Sequence, residues 1–260
     1  MDKKTYVICT TARSGSNLLC DLLMSSKMMG SPKEILNVDS MLRPFCEKHG
    51  LFEDNYRVSM NTYLELVMEQ LSSKNNVFGM KVLFDQLQPF LKLKAVKQLL
   101  EQSKFIWLVR RDIVAQAVSM YIAKVTNEWT SMNEKQNQEK EIKNRRDNVQ
   151  YDREKINYFM EYLTQQNLKL LDFFAINQID YLQVYYEDIL VNTNHVCQDI
   201  CKFCDVQVEH EFSMDSVSFR KQGNQLNEKL VKTFRQESLL NLDVKHQATE
   251  INLRGIKIIG

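Results

Sequence analysis

The most constraining stretch of the chain runs Thr10-Thr11-Ala12-Arg13-Ser14-Gly15-Ser16-Asn17-Leu18-Leu19. Ahead of it, Tyr6-Val7-Ile8-Cys9 is a short β-branched and aromatic run, and behind it Leu18, Leu19, Leu22 and Leu23 recur at helical spacing. The pattern predicts strand, tight loop, helix. In such a unit the loop N–H groups and the helix N-terminus converge on one point, where an anion, above all a phosphate, can sit. Arg13 adds a full positive charge there. Gly15 lets the backbone turn and approach a ligand closely, while Ser14, Ser16 and Asn17 supply small polar groups that cap the helix or bond phosphate oxygens. An ordinary strand-to-helix turn rich in cap residues is the competing reading. The triphosphatase loop Gly-x-x-x-x-Gly-Lys-Ser/Thr is not matched: its first Gly is absent, and so is the Lys after the second. Metal-assisted hydrolysis of a triphosphate is therefore poorly supported.

A chain of 260 residues with strands and helices in alternation is expected to form one α/β domain over residues 1–260. The 44% hydrophobic content, with 7 Gly and 3 Pro, argues for an ordered, helix-rich protein and against disorder. A formal charge of +1 gives no reason to expect nucleic acid as a bulk electrostatic partner, so any anion site must be local. The apolar run after Met1-Asp2-Lys3-Lys4 is too short for a secretory signal, and no apolar run has transmembrane length. A cytoplasmic location with reduced cysteines is expected. Cys197, Cys201 and Cys204, with His195 close by, look at first like metal ligands. Their spacing puts them on one helix face with core residues, which favours buried thiols and no metal.

Further along, Met29 to Asn37 reads as a turn holding Glu34, which on the residues alone reads as a solvated or capping carboxylate, and Leu64, Val67, Met68 and Leu71 mark an amphipathic helix. Val77 to Leu83 reads as a second buried strand followed by one helix through Leu87, Leu91, Leu99 and Leu100. Lys81, late in that strand, either points at the same anion or lies on the surface. A third, continuous apolar strand, Phe105 to Val109, runs into Arg110-Arg111-Asp112 and a helix bearing Ser119. In open parallel sheets ligands sit outside the carboxyl ends of the strands, so this corner and the first loop can address one ligand. Residues 131–154 form a polar insertion, helical period returns from Ile156, and Ile179 to Tyr186 is a fourth strand. Arg220-Lys221-Gln222 opens a basic loop before a last helix from about Glu228 to Leu239, and the tail, 240–260, carries no readable signal.

Five pieces together resemble the bacterial trehalose sulfotransferase family, a branch of the sulfotransferases that use 3′-phosphoadenosine 5′-phosphosulfate (PAPS). They are Arg13-Ser14-Gly15-Ser16-Asn17-Leu18-Leu19, Gly30-Ser31-Pro32-Lys33-Glu34, Gly79-Met80-Lys81, the run from Arg110 to Ser119, and Arg220-Lys221-Gln222. They occur in the family's order. The resemblance implies a three-layer α/β/α fold with a central, mostly parallel sheet of the P-loop-like kind. It also implies that Arg13, Ser14, Gly15, Ser16 and Asn17 hold the 5′-phosphosulfate, that Arg110 and Ser119 hold the 3′-phosphate, and that the loop with Lys221 and Gln222 closes over the nucleotide. Glu34 matches the family's general base. Asn17 stands where Thr is common and Lys221 where Arg is common, and the positions beyond Ile35 do not match those that hold trehalose.

Chemically, a sulfuryl transferase must place an acceptor oxygen in line, take its proton and stabilise charge growing on the departing phosphate. No metal is expected. Glu34 can take the proton, Arg13 faces the leaving phosphate, and Lys81 can neutralise charge near the bridging oxygen. The acceptor is expected to be a carbohydrate, glycolipid or small metabolite with a hydroxyl group. The family includes dimers, so monomer and homodimer both stay open. A nucleotide kinase or triphosphatase of related architecture, and a catalytically silent nucleotide-binding protein, are the competing functions.

Overall fold

The computed structural model describes residues 3–129, 145–217, 225–245, 250–253 and 256–259. The chain divides into two compact units. The first comprises Met1–Gln116 and Met160–Arg220, the second Ala117–Phe159 and Lys221–Gly260.

The first unit is a parallel sheet covered on both faces. Its strands are β1 (Lys4–Thr10), β4 (Val77–Leu83), β5 (Ser103–Val109) and β6 (Tyr181–Tyr185), in the order β4-β1-β5-β6, every pair parallel. Alternation along β1 sends Val7 and Cys9 to one face and Tyr6 and Ile8 to the other, and both sets are buried. Against the first face lie α3 (Met60–Leu71) through Tyr63, Leu64 and Val67, α5 (Lys94–Glu101) through Val96 and Leu99, and the end of α7 (Arg153–Ile176) through Leu170 and Phe174. Against the second lie α1 (Ser16–Ser25) through Leu18, Leu19, Leu22 and Leu23, together with α8 (Tyr186–Val191) and α9 (Thr193–Phe203). This is the three-layer α/β/α arrangement expected.

Strand order also locates the crevice. The chain leaves β1 toward β4, crosses back past β1 to β5, and then moves outward to β6. Connections diverge between β1 and β5, the switch point beyond whose carboxyl ends open α/β sheets bind ligands, and the Arg13 loop and Arg110 follow those two strands.

Several local expectations change. The single helix through Leu87 to Leu100 is three pieces: α4 (Phe84–Leu87), a tight turn over Gln88–Lys92, and α5. Pro89 has no N–H to continue a helix, and Leu93 is extended (φ −83°, ψ 127°). Between Asn37 and β4 the chain adds a one-turn helix over Val38–Leu42, α2 (Arg43–His49), closed by Gly50 at φ 62°, and a two-residue antiparallel pair, β2 (Phe52–Glu53) with β3 (Arg57–Val58). The fourth strand is shorter than read, because Tyr186 already begins α8.

In the second unit, α6 (Ile113–Thr126) continues beyond Gln116, and α10 (Gln225–Lys245) is longer than the helix read from sequence. Within it, the Tyr151 hydroxyl donates to Glu237 Oε2 at 2.6 Å, and Arg153 pairs with Glu237 at 3.2 Å while lying over the Phe234 ring. The tail, unread in the sequence, holds an antiparallel hairpin of β7 (Glu250–Leu253) and β8 (Ile256–Ile259). Most of the polar insertion lies outside the described residues. No described helix is long and apolar enough to cross a membrane.

All six cysteines are buried and free, Cys197 and Cys201 facing the core from α9 and Cys204 following directly after it. Among the described residues no group of three or more His, Cys, Asp or Glu could hold a metal ion.

One contact tests how tightly the β4 to β1 layer is packed. A Cβ on Gly79 would come within 2.2 Å of Tyr6 Cζ, and the buried Tyr6 hydroxyl donates to Met29 O at 2.8 Å. Gly79→Ala should destabilise the protein by about 1–3 kcal/mol, the usual cost of overpacking, read as a lower urea midpoint.

Candidate active site

The loop after β1 is held by its neighbours on three sides. The Thr10 and Ser14 hydroxyl oxygens are 2.6 Å apart, and Thr10 donates to Leu108 O at 2.9 Å, tying the loop to β5. Gln116, fully buried in the first turns of α6, donates its Nε2 to Thr11 Oγ1 (2.9 Å) and Ala12 O (2.7 Å). Arg110 Nη1 donates to Arg13 O at 3.3 Å. Held this way, Arg13 takes φ 63° and Gly15 φ 90°, two left-handed residues that turn the chain sharply into α1. Side chains do not cap α1: Gly15 is its N-cap residue and no side chain accepts there. The cap role expected of Ser14, Ser16 and Asn17 is thereby corrected. Ser14 bonds Thr10, Ser16 is buried, and Asn17 turns to Lys81.

Lys81 is the centre of the second half of the site. Its side chain is 7% exposed, so the surface reading is set aside. Its Nζ lies 2.8 Å from Glu34 Oε1 and donates to Asn17 Oδ1 at 2.5 Å. Glu34 is brought there by backbone. Lys33 bridges Met80 in parallel register, and Lys81 N donates to Lys33 O at 2.9 Å, so the loop after α1 runs along the end of β4. The other carboxylate oxygen, Glu34 Oε2, accepts from Asn37 Nδ2 (2.9 Å) and Gln86 Nε2 (3.0 Å). Burial alone would raise the Glu34 carboxyl. The Lys81 charge and the hydrogen bonds from Lys81, Asn37 and Gln86 outweigh it and hold the group below its ordinary value.

The two arginines after β5 have different employment. Arg111 is committed to Asp188, with Nη1 and Nη2 donating at 2.6 and 2.8 Å, and its guanidinium lies 3.8 Å from the Tyr185 ring centroid. Arg110 turns toward the loop, over the Tyr186 ring, and its Nε is buried with no hydrogen-bond partner. Asp112 accepts from Ala115 N at 2.9 Å, as a helix cap does. Ser119 lies further along α6, in the second unit. Lys221 and Gln222 lie outside the described residues. Gln116, Asn37, Gln86 and Tyr186 were not singled out by sequence. Each acts through a tertiary partner, and only the polarity of Gln116 inside an otherwise apolar helix face hinted at one.

The pair Lys81 and Glu34 makes a stability prediction. Lys81→Met leaves a carboxylate with little water and no cation, and should cost about 3 kcal/mol in urea unfolding. Adding Glu34→Gln to it should restore part of that, because no uncompensated charge remains. With its folded value below the ordinary 4.5, Glu34 contributes stability in full above 4.5 and loses it as pH falls through the folded value. The wild-type advantage over Glu34→Gln should therefore shrink on acidification, measured as urea midpoints across acidic pH.

A sulfotransferase from Alicyclobacillus acidocaldarius is 14% identical, with 95% of this chain and 96% of that one covered and a TM-score of 0.42. The sulfotransferase domain of the curacin biosynthetic pathway is 17% identical over 90% and 91%, with a TM-score of 0.46. A mouse sulfotransferase complexed with PAP is 12% identical over 100% and 71%, at 0.42. No curated protein matches by sequence. The family model of the Stf0 sulphotransferases matches residues 5–237, from the start of β1 into α10, and so takes in the loop, Glu34, Lys81 and Arg110. By that match the chain belongs to the Stf0 sulphotransferase family.

Proposed function

We propose that this sulfotransferase moves a sulfuryl group from PAPS to a hydroxyl of a carbohydrate, glycolipid or other small molecule, with Glu34 as general base. One observation carries the reading: Lys81 bridges the anion loop and a carboxylate, 2.5 Å from Asn17 and 2.8 Å from Glu34. A base and a cation beside a phosphate loop are what in-line transfer to an alcohol needs.

The residues suit a nucleotide with phosphates at both ends. Arg13 and the N-terminus of α1 offer positive charge for the 5′ group. Arg110, with a buried Nε left over, offers a fork for the 3′-phosphate, whereas Arg111 is occupied by Asp188. The tight turn at Gly15 lets backbone N–H groups come close to an anion. When bound, PAPS supplies the sulfuryl group on a phosphate that leaves readily.

The chain's own part is orientation and proton handling. Asn37 and Gln86 occupy Glu34 Oε2, so Oε1 is the oxygen with capacity left to take the acceptor proton. Its lowered value keeps Glu34 ionised near neutral pH, the state a base requires. Lys81 lies between that oxygen and the loop, where negative charge grows as the sulfuryl group departs. Six free cysteines suit a reducing compartment, in keeping with a cytoplasmic enzyme.

Isothermal titration with 3′,5′-adenosine diphosphate should show binding to the wild type. Arg110→Ala should weaken it roughly ten- to a hundredfold, the effect of losing a charge-assisted hydrogen bond. Glu34→Gln should retain that binding while turnover falls about 10²- to 10⁴-fold. With Glu34 below the ordinary carboxylate value, the acid limb of kcat/KM should lie under pH 4.5. A wild type that does not bind the nucleotide would overturn the proposal.

A further inference from the structure

Tyr186 begins α8 at the corner where β6 ends, and it is 8% exposed. It touches both halves of the nucleotide site. A Cβ on Gly15 would come within 2.1 Å of its Cδ2 and 2.4 Å of its Cε2, so the loop backbone lies directly against the ring. The Arg110 guanidinium lies 5.1 Å from the ring centroid. The hydrogen bond from Arg110 to Arg13 O is long, at 3.3 Å, and by itself a weak restraint on a flexible side chain. A buried aromatic ring, with two rotatable bonds and both locked by packing, is a firm one.

The same corner fixes the backbone from which Arg110 projects. Glu187 accepts from the N–H groups of Arg111 (3.1 Å) and Asp112 (3.2 Å), and Asp188 and Tyr185 hold the Arg111 side chain. These contacts keep Arg111 turned away and leave Arg110 alone on the Tyr186 ring.

We infer that Tyr186 is a positioning residue: its ring is the spacer that sets the distance between the anion loop and Arg110, and thereby favours a nucleotide phosphorylated at both 5′ and 3′ positions over one phosphorylated only at 5′. The inference rests on the nucleotide reading above. It concerns the ring face, not the hydroxyl, and adds no chemical step.

The test compares two probes on the full chain by isothermal titration, 3′,5′-adenosine diphosphate and 5′-adenosine monophosphate. Tyr186→Leu should weaken the bisphosphate roughly tenfold while changing the monophosphate about twofold or less, the range expected for a lost cation–π seat. Tyr186→Phe keeps the ring and should keep both affinities. In an Arg110→Ala background, Tyr186→Leu should no longer alter the ratio, because the group it positions is gone. A merely structural role would lower the urea midpoint and leave the ratio of the two affinities in place. If Tyr186→Leu does not fold, Tyr186→Met fills similar volume without a ring and carries the same expectation. A folded variant with an unchanged ratio overturns the inference while the nucleotide reading stands, as does a Phe variant that loses as much as Leu. A wild type that binds neither probe overturns both.

Discussion

An almost fully enclosed ammonium group late in a strand is the constraint on which this molecule turns. Lys81 lies late in β4 with 7% of its side chain exposed, and a charge there is tolerable only with close partners. It finds a carboxylate from the loop after α1 and an amide from the first turn of α1. Those two partners come from segments separated in sequence, so satisfying one charge draws three elements to a point. Asn37 and Gln86 then complete the carboxylate's hydrogen bonds, and Asn37 also accepts from Ser40 N, anchoring the next turn. The polar centre is thus built outward from a single cation.

Across the sheet the arginines show the opposite economy. Arg111 and Asp188 form a two-pronged pair in the open, where water screens it and little stability is gained. Its value is geometric. With Glu187 on the adjacent N–H groups, the pair locks the turn after β5 to the turn after β6, and the neighbouring Arg110 is left facing the loop. One of two adjacent, chemically identical side chains becomes scaffold while the other keeps spare hydrogen-bonding capacity.

The architecture was legible wherever one physical signal dominated. β5 carries a continuous apolar run, and β1 and β4 are mostly apolar, because helices cover both faces, and α1 is marked by its leucines. The tight turn at Gly15 could be read from residue type alone. What could not be read depends on partners distant in sequence. Ser14 and Asn17 looked like caps because their chemistry suits caps, yet Thr10 and Lys81 claim them. The break at Pro89 was hidden beneath a helical leucine spacing that continues on both sides of it. The β2–β3 pair and the tail hairpin are too short to leave a pattern. Lys81 was ambiguous until Glu34 stood beside it, and Tyr186, an aromatic at a strand end, looks in sequence like any other core residue.

The burial of the thiols has a practical consequence. Desolvation pushes Cys20, Cys197, Cys201 and Cys204 up to about 12, so hardly any thiolate exists at neutral pH, and an alkylating reagent can reach them only when the packing opens. Those four lie in the layer with α1 and α9, whereas Cys9 and Cys46 belong to the opposite layer. The native chain therefore carries built-in reporters on each side of its sheet, and the order in which they become labelled reveals which side breathes first.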